Sequence, residues 1–139
     1  MSNAARQVMP MIAVESVDAV RDFYVDKLGF SHVMGMVGKD GQLDFVTVVL
    51  GGARLMFSRA PGGEAHRRSG KQPVEVYFEV ENVEAYNNRV NKNGVKISDP
   101  LTVQWWGDRT FKVLDPNGYE IWFYTHVAEP KPPQGAKLV

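Results

Sequence analysis

The chain has no cysteine, which excludes disulfide bonds and thiolate metal ligands. It has no excess of charge either, since 16 basic and 16 acidic residues give a formal net charge of zero. A nucleic-acid-binding surface usually needs a basic excess, so no nucleic-acid partner is expected. No apolar run approaches the roughly 20 residues that cross a membrane, and no signal-peptide-like segment lies near the N-terminus. These absences predict a cytoplasmic protein without a membrane partner.

The two halves of the chain share a pattern at a spacing of 66 residues. Similar residues recur near both ends of each copy, and one residue is lost in between, where Gly29 matches Gly94. A period longer than about 50 residues exceeds that of ordinary solenoid repeats, so we interpret the pattern as a duplicated module. The matched pairs include Val14 and Val80, Val17 and Val83, Phe45 and Phe111, Gly52 and Gly118, and Phe57 and Phe123.

The length of 139 residues and the hydrophobic content of 44% suit one domain with a core. We therefore predict a single domain, 1–139, that contains module one at about 7–58 and module two at about 74–126. Residues 59–73 are rich in glycine, proline and basic residues and are expected to form a linker. The proline-rich residues 127–139 are expected to form a tail, disordered or laid on a neighbour.

Each module is predicted to fold in the order β-α-β-β-β. Ser16 and Asn82 are suitable N-caps for one helix in each module, and Gly29 and Gly94 are suitable residues to end those helices. Alternating apolar residues predict the strands. The predicted strands are 8–15, 30–37, 43–50, 54–58, 74–80 and 95–98, followed by a hairpin at 110–124.

The sequence of residues 110–124, TFKVLDPNGYEIWFY, is typical of a strand, a tight turn and a second strand. Pro116 presets φ at one corner of the turn, and the Asn-Gly pair after it tolerates a positive φ. Upstream, the Asp-Pro pair at Asp99 is expected to end a short strand. Residues 103–106 then either continue that strand or start another.

This organisation resembles the vicinal oxygen chelate superfamily, which contains glyoxalase I, bleomycin-resistance proteins, fosfomycin-resistance proteins and extradiol dioxygenases. The resemblance covers about 8–126 and rests on FY at 23–24 with LGF at 28–30, and on WGDRTF at 106–111 running into the hairpin turn. The second motif is most similar to the bleomycin-resistance branch. The resemblance implies an α+β fold in which two tandem β-α-β-β-β modules each curl a mixed sheet into a half-barrel.

Enzymes of this superfamily hold a divalent metal with His, Gln or Glu side chains from both modules. By resemblance, the equivalent positions are Met9 and Met56 in module one and Glu75 and Trp122 in module two. Two thioethers, one carboxylate and an indole without an acceptor nitrogen do not suit a hard or borderline metal. The resemblance therefore implies that this chain has no metal and no cofactor.

The three histidines offer little compensation. His32 lies at the start of a predicted strand, His66 lies in the linker, and His126 lies at the end of the last strand. A metal cluster of His66, His126 and Glu75 stays open as a minor alternative.

The superfamily also implies that two half-barrels close around one cavity, either within one chain or across a dimer. One face of several strands lines that cavity. That face carries thioethers, aromatic rings and one carboxylate, which suit a flat or cationic organic molecule. Alternatively, the same side chains fill the barrel as core and bind nothing. Because neighbouring residues on a strand point oppositely, only one of Trp105 and Trp106 can face the cavity. Resemblance to the superfamily's Trp-Gly motif implies that Trp106 is the structural residue and Trp105 the lining one. The candidate ligand-binding residues are Met9, Met56, Glu75, Tyr77, Trp105, Trp122 and Tyr124.

Two functions are compatible with these residues. The first is a metal-free small-molecule-binding protein of the bleomycin-resistance type, acting as a homodimer on an aromatic or cationic ligand, with no catalytic residues. The alternative is a superfamily enzyme, a lyase, isomerase or dioxygenase, with a non-standard active site. In the alternative, Glu75 would be the candidate general base if burial raised the pKa of its carboxyl group.

Overall fold

The computed structural model describes residues 4–60 and 74–139. The chain forms two compact units, Met1–Arg67 and Arg68–Val139, and the division falls within the predicted linker. Among the described residues, each unit contains one four-stranded mixed sheet and one helical segment, so the fold is α+β as predicted. No helix in the described part of the chain is long and apolar enough to cross a membrane.

The first unit, module one, has one parallel and two antiparallel strand pairs in the order β1-β4-β3-β2. Ser16 caps the helix, because its hydroxyl oxygen accepts a hydrogen bond from the amide of Ala19 at 3.1 Å. The helix continues directly into a π-helical segment and ends before Gly29, whose φ is 83°. The elements are β1 Met11–Val14, α1 Val17–Asp22, the π-helical segment Phe23–Lys27, β2 Ser31–Val37, β3 Leu43–Leu50 and β4 Ala53–Arg59.

The second unit, module two, repeats this topology with the strand order β5-β8-β7-β6. Asn82 caps its helix through a side-chain oxygen that accepts from the amide of Ala85 at 3.1 Å. Gly94 follows the helix with a φ of 83°. The elements are β5 Val76–Glu79, α2 Val83–Lys92, β6 Ile97–Val103, β7 Asp108–Leu114 and β8 Glu120–His126.

One face of each sheet packs against its own helix and forms the core. In module one, Tyr24 is fully buried, and its ring centroid lies 5.1 Å from Phe57 and 5.2 Å from Phe30. In module two, Phe123 lies 5.3 Å from Phe111 and 4.7 Å from Tyr86 of the helix. Alternation along the strands directs the intervening residues to the other face, where the candidate site residues Met56, Tyr77, Trp122 and Tyr124 lie.

The strand pairing shows the repeat and corrects its register. Met56 and Trp122 are equivalent, because they pair with Met11 and Tyr77 on the parallel neighbours. Val46 pairs with Phe57, however, and Phe111 pairs with Phe123, so β3 and β7 correspond at a spacing of 65 residues. The predicted match of Phe45 with Phe111 is therefore wrong by one residue. The longer β7–β8 turn restores the spacing of 66.

The Asp-Pro pair at Asp99 does not end a strand, which corrects another prediction. β6 runs through Asp99 and Pro100 with register shifts on both sides of Asp99. It is an edge strand, so the missing N–H of Pro100 removes no hydrogen bond from the centre of the sheet. β6 ends at Val103, and the tryptophan pair that follows lies in a turn.

The strand ends also differ from the predictions. β1 and β5 are shorter than expected, while β4 extends to Arg59, which was assigned to the linker. The guanidinium of Arg59 bonds Asp40 at 2.8 Å and also binds Asp44, which fastens the end of β4 to the β2–β3 hairpin. Ala60 is buried, and its amide donates to the carbonyl of Val14 at 2.9 Å.

The β7–β8 turn has the predicted chemistry. Asp115 is buried, and its side-chain oxygen accepts hydrogen bonds from the amides of Asn117 and Tyr119, both at 2.9 Å. Gly118 adopts a φ of 83°. After β8, residues 127–131 return to the β6–β7 turn: the amides of Val127 and Ala128 bond the carbonyl of Gly107, at 2.9 Å and 3.0 Å.

Candidate functional site

The candidate site of module two is a cluster of aromatic rings on the sheet face opposite α2. Tyr77 stacks on Tyr124 with centroids 4.4 Å apart and an interplanar angle of 21°. Trp122 lies 5.6 Å from Tyr77 and 6.2 Å from Trp106. Such ring pairs each contribute about 0.5–1.5 kcal/mol beyond area burial. We call these four residues, Tyr77, Trp106, Trp122 and Tyr124, the aromatic cluster.

A chain of hydrogen bonds runs from the aromatic cluster to the end of β8. The indole Nε1 of Trp106 donates to the hydroxyl of Tyr77 at 2.8 Å, and that hydroxyl donates to Oδ2 of Asp108 at 2.6 Å. The other carboxylate oxygen of Asp108 lies 2.8 Å from Nδ1 of His126. Asp108 is only 8% exposed, so this carboxylate has lost most of its water and depends on these partners.

The environment disfavours ionisation of the tyrosines in the cluster. Burial raises the pKa of Tyr77, and the neighbouring Asp108 carboxylate raises it further because its hydrogen bond requires the protonated hydroxyl. Burial likewise raises the pKa of Tyr124, with a further contribution from the charge of Glu79. Both hydroxyls therefore stay neutral at physiological pH and serve as polar groups, not as charges.

Trp122 is held from two sides. Its Nε1 donates to Oε1 of Glu75 at 2.8 Å, and the ammonium of Lys112 lies 4.5 Å from its ring centroid. Lys112 also forms ion pairs with Asp99 at 3.1 Å and Glu120 at 3.3 Å. Burial acts to lower the pKa of Lys112, but these two carboxylates outweigh it and the pKa lies above its usual value.

The structure brings together four of the predicted site residues: Glu75, Tyr77, Trp122 and Tyr124. Trp105 lies in the β6–β7 turn, 43% exposed, and contacts the cluster through Trp106 at 5.6 Å. Both indoles lie in a turn and not on a strand, so strand alternation does not apply to them. The assignment of Trp105 to the ligand-binding residues stays a prediction. Trp106, given a structural role from the sequence, is the one that contacts Tyr77 and Trp122.

Met9 and Met56 belong to module one. Met9 precedes β1, and its sulfur receives a weak contact from the side-chain amide of Gln7 at 3.9 Å. Met56 lies in β4 and pairs with Met11 on β1 and Thr47 on β3. Met34 and Met36 of β2 share this face through their pairing with β3. We call Met11, Met34, Met36 and Met56 the methionine face.

The side chains at the superfamily's metal positions do not fit a divalent metal. The indole of Trp122 presents only a hydrogen-bond donor, and that donor is already bound to Glu75. Met9 and Met56 offer thioether sulfurs, which suit soft ions. Within residues 4–60 and 74–139, no group of three or more His, Asp or Glu side chains is placed to hold a metal ion. His66, part of the minor metal alternative, lies outside the described residues.

Comparison with known proteins identifies the family. The model of the Glyoxalase/Bleomycin resistance protein/Dioxygenase superfamily matches residues 6–123. The chain belongs to this superfamily.

The chain is similar to a bleomycin resistance protein in sequence and to several solved structures in fold. A bleomycin resistance protein from Geobacillus stearothermophilus is 26% identical over 134 residues, which cover 87% of this chain and 97% of that protein. The crystal structure of TioX from Micromonospora sp. ML1 matches with a TM-score of 0.71 at 22% identity, covering 88% of this chain and 100% of TioX. TnmS3, an antibiotic binding protein from Streptomyces sp. CB03234, matches with a TM-score of 0.66 at 21% identity, covering 89% and 98%.

Sequence reasoning missed two features of the site. It did not single out Asp108, and it did not place Trp106 against Tyr77 and Trp122. Asp108 lies within the WGDRTF motif on which the resemblance rests, but the sequence did not indicate that its side chain is buried. An aspartate at the start of a strand, directly across from His126, is the signal that was available.

Proposed function

We propose that this protein binds a flat aromatic or cationic organic molecule on the aromatic cluster of module two, without a metal or other cofactor. The observation that carries the proposal is the cluster itself. Four rings form a connected set of contacts on the sheet face opposite α2, and Tyr77 remains 42% exposed. A buried core would hide such rings, whereas a stacking surface presents them.

The charges around the cluster favour a cationic ligand. The carboxylate of Glu75 accepts a hydrogen bond from the indole of Trp122. Glu79 lies two residues after Tyr77 on the same strand face, and its charge raises the pKa of Tyr124. The one cation among these side chains, Lys112, is neutralised by two carboxylates. A ligand cation would therefore meet ring faces and carboxylates with little opposing charge.

The names of the relatives support binding as the activity. One relative is a bleomycin resistance protein, and one protein of similar fold is an antibiotic binding protein. The poor metal chemistry of Met9, Met56 and Trp122 supports binding without a metal. The homodimer and the cytoplasmic location stay predictions.

The proposal is tested by titrating the planar cationic dye proflavine and following the dye's fluorescence anisotropy. Trp122→Met places the residue of module one at the equivalent position of module two. Loss of one stacking ring is expected to weaken binding about tenfold. Met56→Leu, the matched control on the methionine face, is expected to leave the affinity unchanged.

Two results would contradict the proposal. One is a wild-type titration without saturation, which would mean that the cluster is not a binding surface for flat cations. The other is equal weakening by Trp122→Met and Met56→Leu, which would remove the assignment to module two.

A further inference from the structure

The hydrogen-bond chain from Trp106 to His126 has a fixed direction. An indole N–H can only donate, so the oxygen of Tyr77 must accept from Trp106 at 2.8 Å. The single proton of the Tyr77 hydroxyl is then directed to Oδ2 of Asp108 at 2.6 Å. Asp108, as a carboxylate, can only accept.

The same logic fixes the proton on His126. Its Nδ1 lies 2.8 Å from Oδ1 of Asp108, and a carboxylate oxygen there requires a donor. The proton of the neutral imidazole therefore resides on Nδ1, and Nε2 carries a lone pair. The His126 side chain is 57% exposed, and Nε2 has no hydrogen-bond partner among the described residues.

We infer that Nε2 of His126 is a hydrogen-bond acceptor, held in that tautomer by Trp106, Tyr77 and Asp108, that selects aromatic ligands carrying an O–H or N–H donor at their edge. The inference deepens the proposed function and rests on it. His126 and Tyr77 bind the two oxygens of one carboxylate, and His126 shares a strand face with Tyr124, so the acceptor lies at the border of the aromatic cluster. Ring stacking would then supply affinity, and His126 would supply the choice between otherwise similar rings.

Asp108→Asn gives a direct test of the tautomer in the ligand-free protein. The new amide is expected to turn its oxygen to Tyr77, whose hydroxyl already accepts from Trp106, and its NH₂ group to His126, because the imidazole can change tautomer to accept it. The NH₂ group donates to Nδ1, which moves the imidazole proton to Nε2. The nitrogen chemical shifts of the ring, measured by NMR at a pH where it is neutral, are expected to show a proton on Nδ1 in wild type and on Nε2 in the variant. A wild-type proton on Nε2 would overturn the inference.

The selectivity is tested with naphthol and its methyl ether, which share one ring system and differ in the O–H donor. Wild type is expected to bind naphthol about fivefold more tightly, the value of one ordinary hydrogen bond. His126→Phe is expected to abolish this preference. Because the change also removes one partner of the buried Asp108 carboxylate, circular dichroism and urea denaturation of the variant check that it is folded. His32→Phe, at an exposed histidine of module one, is the control that should retain it.

The outcomes separate the two proposals. Equal binding of naphthol and its methyl ether by wild type would overturn the role of His126 while leaving the aromatic cluster as the binding surface. Binding of neither probe, together with failure of proflavine, would overturn both. Retention of the preference in His126→Phe would show that another acceptor selects the ligand.

Discussion

Module one carries methionines where module two carries aromatic rings. At equivalent register positions, Met11 and Met56 of the first correspond to Tyr77 and Trp122 of the second. The opposite faces are alike, because both pack buried aromatic and aliphatic side chains against a capped helix. One scaffold thus supports two unlike surfaces, since residues on the open face are not constrained by helix packing.

The difference in side chain has physical consequences. Thioether chains have three rotatable bonds and adapt to many shapes, whereas aromatic rings are rigid and lose little entropy on contact. The aromatic cluster is further locked by hydrogen bonds from both indoles, Trp106 to Tyr77 and Trp122 to Glu75. Module two is therefore the preorganised half of the pair, and preorganisation is what a selective binding surface needs.

The largest expected effect tests the face that the modules share. Phe57→Ala and Phe123→Ala remove fully buried rings at equivalent positions. Each is expected to lower the free energy of unfolding by about 3–5 kcal/mol, measured by urea denaturation, because a cavity is left under the helix. Met34→Ala on the methionine face, where the side chain is 55% exposed, should change it by less than about 0.5 kcal/mol. A mild effect from only one phenylalanine would show that the two cores are not equivalent.

A smaller expected effect is the loss of stability in alkaline solution, which tests the face on which the two modules differ. The raised pKa of Tyr77 keeps its hydroxyl protonated in the fold above about pH 10, where an unfolded tyrosine ionises. The folded state then binds more protons than the unfolded state, so the free energy of unfolding should fall as the pH rises beyond that point. In urea denaturation across this pH range, the free energy of unfolding of Tyr77→Phe should fall less steeply with pH than that of wild type. Met11→Leu, at the equivalent place in module one, should decline as steeply as wild type, and an equally steep decline in Tyr77→Phe would contradict the argument.

The smallest effect concerns the helix caps. Ser16 and Asn82 lie at equivalent positions and each accepts one backbone amide at 3.1 Å. Alanine at either site should lower the free energy of unfolding by about 1 kcal/mol, measured by thermal or urea denaturation. The exchanges Ser16→Asn and Asn82→Ser keep a capping oxygen and should be nearly neutral. If an exchange lowered the free energy of unfolding as much as alanine does, the cap hydrogen bond would not be what stabilises the helix start.

Much of the fold was predictable because it depends on local chemistry. The helix starts at Ser16 and Asn82, the glycine stops, and the Asp115 turn all follow from residues whose preferences are strong and short-range. The strand through Pro100 was not predictable in this way. Whether proline is tolerated depends on that strand lying at a sheet edge, which is a property of topology.

The candidate site was predictable only in part, for a similar reason. Alternation placed Tyr77 on one face of a predicted strand, and Trp122 and Tyr124 on one face of another. The structure pairs these two strands side by side, with the three rings in contact. Alternation failed for Trp105 and Trp106, because a turn has no two-residue period. The burial of Asp108 depends on partners from β5 and β8, far away in sequence.

Backbone hydrogen bonds fasten residues 127–131 to the β6–β7 turn that carries Trp105 and Trp106, so a change in this segment is transmitted to the two indoles. Gly107 accepts two backbone bonds from Val127 and Ala128, and a side chain at Gly107 would collide with the carbonyl oxygen of Ala128. The backbone amide of Lys131 donates to the backbone carbonyl of Trp105 at 2.6 Å. A tag inserted in this segment, or proteolytic cleavage within it, should therefore alter the fluorescence emission of Trp105 and Trp106. Energy transfer from these indoles to a fluorophore attached just beyond Lys131 would report whether the segment stays on the turn.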